Sequence, residues 1–158
     1  MDELKESVLV EATLAETWDF YFDPGGWPAW VDGFQAVVSS EDYPAEGGQL
    51  VWRSTPAGRG EVRERVREHV NRRRHMIEFT DPGSSGSLLS EFAIEGEGTR
   101  VTLTLAYHLA QSGPFAWLTD RLFVRGQVRQ SLGRSLARFK HEVEELAQLG
   151  DAGPPPDR

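Results

Sequence analysis

The chain of 158 residues is 39% hydrophobic and 27% charged, carries a formal net charge of -8 and contains no cysteine. A chain of this length is expected to form one domain with its own hydrophobic core. The lack of cysteine excludes disulfides, thiolate nucleophiles and cysteine-ligated metal centres. The acidic start, Met1 to Glu6, and the lack of a long apolar run argue against a signal peptide or a spanning helix. We therefore expect a cytoplasmic protein with no integral membrane segment.

Charge is distributed unevenly along the chain. Residues 1–47 contain eleven acidic residues and a single basic one, whereas residues 53–74 contain eight arginines against three glutamates. Arg63, Arg65 and Arg67 alternate with other residues, so a strand here would place all three on one face. The net negative charge disfavours a nucleic-acid partner. We interpret these arginines as a solvated outer face of a sheet, with a nucleic-acid surface as the alternative.

The first part of the chain combines a strand with two short helices. Alternation over residues 7–11 predicts a short strand. Thr13 followed by Glu16 has the spacing of a capping box, which predicts the start of a helix. An Asp-Pro-Gly-Gly break ends that helix, and residues 27–31, Trp-Pro-Ala-Trp-Val, predict a second short helical piece.

Six further strands follow, separated by breaks rich in glycine and proline. They are predicted over residues 34–40, 49–55, 60–70, 74–80, 87–95 and 99–109. In the last of them, alternate apolar residues from Val101 to Tyr107 share one face. Val37 and Val38 are adjacent, so the inward face of the first of these six strands stays undecided.

The end of the chain predicts one long helix and a tail. Apolar residues at helical spacing from Pro114 to Leu146 form a narrow stripe that would pack on the sheet. Residues 149–158 are rich in glycine and proline, and we expect them to be a disordered tail after a single domain of residues 1–148. The order of elements predicts an α+β fold, a curved antiparallel sheet with helices on one face.

Four segments in this order carry a resemblance to a known superfamily: Ser7–Ala12 with Thr17–Phe20, Trp27–Trp30, Gly98–Leu103 and Leu132–Glu145. Together they resemble the START-like (SRPBCC) helix-grip superfamily, in its bacterial polyketide cyclase/dehydrase branch. The resemblance implies a helix-grip fold, in which a seven-stranded sheet wraps around the long C-terminal helix and two short helices lie between strands 1 and 2. It also implies an elongated cavity for an apolar or aromatic small molecule. None of the four segments is a catalytic motif.

Strand alternation and aromatic content select the residues that would line such a cavity. A core in which these side chains fill the space completely is the alternative. The ligand-binding candidates are Trp27, Trp30, Phe34, Trp52, Glu64, Phe79, Phe92, Tyr107, Leu118, Leu122 and Arg125.

Arginines interrupt the apolar stripe of the predicted C-terminal helix. Glu64 shares its strand face with two valines and would point inward, which makes it the candidate partner of Arg125 or Arg129. The alternative is a helix that bends near Gly126 or begins later, which would let the arginines reach solvent.

Standard catalytic motifs are missing from the sequence. It contains no nucleophile elbow, no metalloprotease motif and no phosphate-binding loop. Its four histidines do not stand at metal-ligand spacing, so we expect neither a metal nor a cofactor. If a reaction occurs in the cavity, Glu64 would be the base, Arg125 would stabilise an enolate and Tyr107 would donate a hydrogen bond.

Three functions therefore stay open. The first is binding of a small hydrophobic or aromatic ligand, lipid-like or polyketide-like, in the cavity between sheet and C-terminal helix. The second is a polyketide cyclase, aromatase or dehydratase that acts in that cavity. The third is a stress-related or partner-binding protein. The sequence does not fix the oligomeric state.

Overall fold

The computed structural model describes residues 2–110 and 124–151, and within these one curved antiparallel sheet is covered by helices. The strands are β1 Asp2–Val10, β2 Phe34–Glu41, β3 Gln49–Ser54, β4 Glu61–Val70, β5 Arg74–Asp81, β6 Ser84–Glu95 and β7 Gly98–Leu109. The helices are α1 Leu14–Tyr21, a 3-10 turn Pro24–Gly26, α2 Trp27–Trp30 and α3 Arg125–Asp151. The strand order is β1-β7-β6-β5-β4-β3-β2. The predicted α+β helix-grip fold, with two short helices between the first two strands, is confirmed.

The predicted capping box begins α1. The Thr13 hydroxyl accepts a hydrogen bond from the Glu16 backbone N–H at 3.1 Å, and the Glu16 carboxylate accepts one from the Thr13 N–H at 3.3 Å. These bonds satisfy donors that the first turn of a helix leaves unpaired. The helix then buries Trp18 and Tyr21 against the sheet, which fixes where α1 and α2 meet α3.

Strand alternation holds in β7 and fails in β2. Val101, Leu103 and Tyr107 are buried on the inner face of β7, as predicted. In β2 the register shifts twice along its pairing with β3, and both Val37 and Val38 are left exposed. Such shifts break the period of two, so neither valine can be assigned to a face from alternation alone.

A bulge in β4 changes which residues face inward. Val66 pairs with Ile77, but Glu68 pairs with the adjacent residue of β5, so β4 contains one extra residue at this point. Beyond the bulge, His69 stands opposite His75 on the inner face.

The outer face of β4 carries the predicted arginines. Arg63, Arg65 and Arg67 are all exposed on this face. Arg63 forms a salt bridge with Glu61 at 2.7 Å, and Arg67 forms one with Glu78 at 2.6 Å. These two ion pairs neutralise much of the positive charge of the strand within the sheet itself.

A glycine in β6 lies between two large side chains of the inner face. Gly86 pairs with Phe79 on one side and with Tyr107 on the other. A Cβ atom at this position would lie 1.9 Å from the carbonyl oxygen of Ala106, closer than any side chain permits. Glycine is therefore required here, and it leaves space between the two rings.

Helix α3 buries the predicted stripe through Leu136, Phe139 and Val143, whereas Leu146 is exposed. The helix continues to Asp151, so residues 149–151 are helical rather than part of the predicted tail. The predicted helix start at Pro114, the residues Leu118 and Leu122, and residues 152–158 lie outside the described residues. Within the described part of the chain, no helix combines the length and the apolar character needed to cross a membrane.

Candidate functional site

A cavity of about 820 Å³ lies between the inner face of the sheet and α3. A volume of this size lies in the range, about 300–1,000 Å³, that encloses a drug-sized molecule. Its wall includes side chains from α1, α2, β3 to β7 and the first turns of α3. Seven of the predicted candidates line it: Trp27, Trp30, Phe34, Trp52, Glu64, Phe79 and Tyr107.

Aromatic rings form a continuous section of this wall. The ring of Phe34 lies 6.0 Å from that of Trp27 and 5.5 Å from that of Trp52, centroid to centroid. Tyr43 joins the section through a T-shaped contact with Trp27 at 5.9 Å. The rings thus pack on one another at favourable edge and tilted geometries and still leave open space in front of them.

Glu64 points into the cavity from β4. Its Oε1 atom accepts a hydrogen bond from the indole Nε1–H of Trp52 at 2.8 Å, across the β3–β4 pairing. Burial raises the pKa of the Glu64 carboxyl, and the Trp52 hydrogen bond and the charge of Arg59 counter that rise in part. Among the described residues, no partner donates to the second carboxylate oxygen.

Two tyrosines lie near Glu64, and a histidine pair contacts one of them. The Tyr21 hydroxyl is 2.6 Å from Ser90 Oγ, and the Tyr43 hydroxyl is 3.4 Å from His75 Nε2. His75 Nδ1 is 2.9 Å from Nδ1 of His69, so one of the two imidazoles donates to the other and the accepting ring is neutral.

Burial is the main cause of the shifted pKa values of these groups. Burial, and then the His69 ring, lower the pKa of His75 to about 3. Burial raises the pKa of Tyr21 and of Tyr43, and the negative charge of Glu64 raises both further. We call Tyr21, Tyr43, Glu64 and His75 the inner cluster.

The opening of the cavity carries ion pairs instead. Arg59 Nε donates to Asp81 at 2.8 Å, and its guanidinium lies 4.8 Å from the ring centroid of Phe79 and 5.7 Å from that of Trp52. Asp81 also accepts from the backbone N–H groups of the turn that joins β5 to β6. This contact ties the β3–β4 loop to the β5–β6 turn.

A second ion pair ties α3 to the loop after α2. Asp32 accepts hydrogen bonds from Ser131 at 2.7 Å, Arg134 at 2.9 Å and Arg138 at 3.2 Å. Its own backbone N–H donates to Ser135 Oγ at 2.9 Å. The Arg134 hydrogen bond is the main cause that lowers the pKa of Asp32. We call Arg59–Asp81 and Arg134–Asp32 the rim pairs.

The candidate pairing of Glu64 with Arg125 or Arg129 does not form in the structure. Arg125 donates to the carbonyl oxygen of Glu3 at 3.1 Å, and Arg129 lies 3.6 Å from the Glu6 carboxylate. Both contacts are made with β1, because the start of α3 runs beside that edge strand. The proposed catalytic set of Glu64, Arg125 and Tyr107 is therefore not brought together, although Glu64 and Tyr107 both line the cavity.

Phe92 is placed behind the wall rather than in it. Its ring packs against Trp18 at 4.9 Å and against Tyr21 at 5.2 Å, so the tyrosine separates it from the open space. The candidates Leu118 and Leu122 lie outside the described residues.

Sequence reasoning missed Tyr43, His75 and Arg59. Spacing along one element cannot reveal the His69–His75 contact, because it forms across the β4–β5 hairpin. Pairing the residues on either side of that short turn could have suggested it. Tyr43 lies between strands, where no period predicts an orientation.

Only one group of potential metal ligands occurs in the described part of the chain. The ligand atoms of His141, Glu142 and Glu145 lie within 4.8 Å of one another, on a largely exposed face of α3 far along the helix from its first turns. The cavity itself offers acid–base and hydrogen-bonding groups, the inner cluster, inside an apolar enclosure.

Comparison with known proteins identifies the architecture. The protein TTHA0849 of Thermus thermophilus is 23% identical, with a TM-score of 0.69 over 96% of this chain and 100% of that chain. Protein SA2116 of Staphylococcus aureus is 12% identical, with a TM-score of 0.74 over 93% and 96%. A truncated norcoclaurine synthase of Thalictrum flavum is 14% identical, with a TM-score of 0.64 over 90% and 92%. At these identities the likeness establishes the fold alone.

The sequence comparisons identify the family more specifically than the structural ones do. No curated protein matches the chain significantly. The family model described as polyketide cyclase / dehydrase and lipid transport matches residues 1–144, which is most of the chain. Together with the seven-stranded sheet, the long C-terminal helix and the enclosed cavity, this match means that the chain belongs to the polyketide cyclase / dehydrase and lipid transport family.

Proposed function

We propose that this protein binds a small hydrophobic or aromatic ligand in the cavity between the sheet and α3. The observation that carries the proposal is an open volume of about 820 Å³ behind a wall of aromatic rings. The remaining core is closely filled: Phe139, Val62 and Val101 have no exposed surface. A large open space behind aromatic rings, beside side chains that are fully buried, favours a site for a ligand over loose packing.

A ligand of matching shape would contact the apolar side chains of this wall. Side chains facing a void lose dispersion contacts on that side, and a ligand of matching shape supplies them while leaving water itself. The membership in a family described partly by lipid transport agrees with this role. The rim pairs support it as well, because they frame an opening without filling the interior.

A cavity-filling variant tests the proposal directly. Leu105 lines the cavity from β7, whereas the adjacent Thr104 faces the other side of the sheet. With the neutral probe N-phenyl-1-naphthylamine, we expect saturable fluorescence enhancement by the wild type. Leu105→Trp should weaken that binding by about tenfold or more, since it occupies volume that the probe needs.

Thr104→Trp is the matched control, because it adds the same side chain to the outer face and should leave probe affinity unchanged. Absence of saturable binding to the wild type, or equal affinity in Leu105→Trp, would overturn the proposal. Native mass spectrometry of the purified protein, followed by denaturing extraction, would identify any small molecule that is retained.

A polyketide cyclase or dehydratase is the second candidate, favoured by one observation. Glu64 lies in an apolar cavity near Tyr43, and burial raises the pKa of its carboxyl, which suits a group that takes up and returns a proton. In this candidate Glu64 acts as the base, and Tyr43 and Tyr107 supply hydrogen bonds. Conversion of a poly-β-ketone analogue, followed by mass spectrometry, should be detectable in the wild type and lost in Glu64→Gln.

A further inference from the structure

The charged side chains that line the cavity do not balance. Five such residues are present in the described part of the wall: Asp32, Arg59, Glu64, Asp81 and Arg134. The rim pairs account for four of them, with nitrogen–oxygen distances of 2.8 and 2.9 Å. Glu64 is left over, and among the described residues it forms no salt bridge. The described wall therefore carries one carboxylate without a cationic partner.

The immediate contacts of Glu64 leave room for a ligand group. Trp52 occupies one carboxylate oxygen with a neutral N–H donor, and the other oxygen has no donor among the described residues. The nearby Tyr21 hydroxyl is already bonded to Ser90. Arg59 acts on Glu64 only through its charge, because its guanidinium is bonded to Asp81. An unpaired buried carboxylate is energetically costly, so a cationic ligand group at this oxygen would recover a large interaction.

The wall around this carboxylate also suits a cation. The faces of tryptophan, tyrosine and phenylalanine rings attract positive charge. Arg59 already makes such contacts on the same wall, since its guanidinium lies 4.8 Å from the ring centroid of Phe79 and 5.7 Å from that of Trp52. Near Glu64, the rings of Phe34 and Tyr43 also line the cavity, and no cation among the described residues contacts either of them.

We propose that the ligand of this cavity is an aromatic or apolar amine, whose protonated nitrogen binds at Glu64 while its body lies against the aromatic wall. This inference rests on the proposed function and names the ligand class of that site. The cavity disfavours an anionic ligand, because Glu64 would repel it. Both cations of the described wall are already bound to carboxylates in the rim pairs.

Two probes of nearly the same shape, one charged and one neutral, test the effect of charge on binding. The probes 2-(1-naphthyl)ethylamine and 2-(1-naphthyl)ethanol have nearly the same size, and only the amine is charged at pH 7. Each is used to displace N-phenyl-1-naphthylamine from the full-length protein. We expect the amine to bind the wild type roughly 10- to 100-fold more tightly than the alcohol, the gain typical of a charge-assisted hydrogen bond.

Two variants of β4 complete the test. Glu64→Gln keeps the shape of the side chain and removes the charge, so it should abolish the preference for the amine. Glu61→Gln, on the outer face of the same strand, should retain it. Near-ultraviolet circular dichroism checks that both variants are folded, and 1-naphthylacetate should be the weakest competitor for the wild type in any case.

The outcomes distinguish this inference from the function on which it rests. Equal displacement by amine and alcohol, or a preference that persists in Glu64→Gln, would overturn the amine assignment and leave hydrophobic binding intact. Failure of the neutral probe to bind the wild type would overturn both. If Glu64→Gln does not fold, weaker binding of the amine than of the alcohol to the wild type is still sufficient to reject the assignment.

Discussion

Asp32 and Glu64 line the same cavity, the first at its rim and the second in its interior, and their surroundings differ. Asp32 accepts hydrogen bonds from a serine and two arginines, whereas Glu64 accepts one from a neutral indole. The pKa of Asp32 is consequently lowered and that of Glu64 is raised. Charge therefore stabilises the rim pairs and destabilises the inner cluster, although both face one cavity.

The two carboxylates should also contribute to stability with opposite dependence on pH. A lowered pKa in the folded state stabilises the fold above the unfolded pKa, and that contribution is lost as pH falls through the folded value. For Asp32 the loss lies below the ordinary value of 3.8. A carboxyl whose pKa is raised in the folded state destabilises the fold when it ionises. Glu64 therefore reduces stability progressively as pH rises above 4.5.

The strongest dependence on pH should come from the histidine of the inner cluster. His75 has a folded pKa of about 3 against an ordinary value of 6.5, so between these values only the unfolded chain binds its proton. Stability should fall by up to about 1.4 kcal/mol per pH unit as pH decreases in this window, and be unaffected by His75 above it. Urea unfolding of wild type and His75→Gln at several pH values measures the difference.

The groups that face His75 set the control for this measurement. His69 and Tyr43 contact its two ring nitrogens, and the pKa of His69 is also lowered by burial. His69→Gln should therefore remove a smaller part of the same slope. An unchanged slope in His75→Gln would mean that its imidazole is not held neutral in the fold.

The next largest effect on stability is expected from removing the Asp32 carboxylate, which belongs to one of the rim pairs. Asp32→Ala leaves three donors of α3 without their acceptor, and we expect a loss of about 2 kcal/mol in the free energy of unfolding at pH 7. The difference from the wild type should shrink as pH falls below 4, where Asp32 itself becomes protonated. Asp19→Ala is the control, because Asp19 is an exposed carboxylate on α1. Equal losses in the two variants would contradict a special role for Asp32.

The smallest expected effect is an increase in stability rather than a loss. Glu64→Gln should raise the free energy of unfolding of the unliganded protein by about 1 kcal/mol at pH 7, since it removes a buried charge that has no cationic partner among the described residues. The gain should disappear near pH 4, where the wild-type carboxyl is protonated in both states. Thermal unfolding across this range measures it. Destabilisation at pH 7 would indicate that the charge is compensated within the protein.

The fold could be predicted because the spacing of apolar residues is regular over most of the chain. The apolar residues of β7 and of α3 keep one face each, and the capping box at Thr13 marks a helix start that depends on local chemistry alone. Alternation stops being informative where the register shifts, as at the two shifts of β2, the strand whose inward face the sequence leaves undecided. An inserted residue reverses the parity, and no pattern of residue types in the sequence announces it.

The site could be predicted only in part, for a related reason. Glu64 and Trp52 follow strand parity, so both were assigned to the interior from sequence. The partners of Arg125 and Arg129 depend on where α3 lies relative to β1, which is a tertiary property. Tyr43 reaches the inner cluster from a loop, where orientation is set by packing rather than by any period.

The bulge in β4 decides what kind of pair stands at the closed end of the inner face. If the same residues paired in regular register after Val66, with no bulge, Glu68 rather than His69 would stand opposite His75. A carboxylate in that position would draw a proton onto the imidazole and create a fixed ion pair beneath Trp18 and Phe22. The shift of register at the bulge therefore keeps the polarity of this end low and leaves Glu64 as the single anion of the described interior that a ligand would meet.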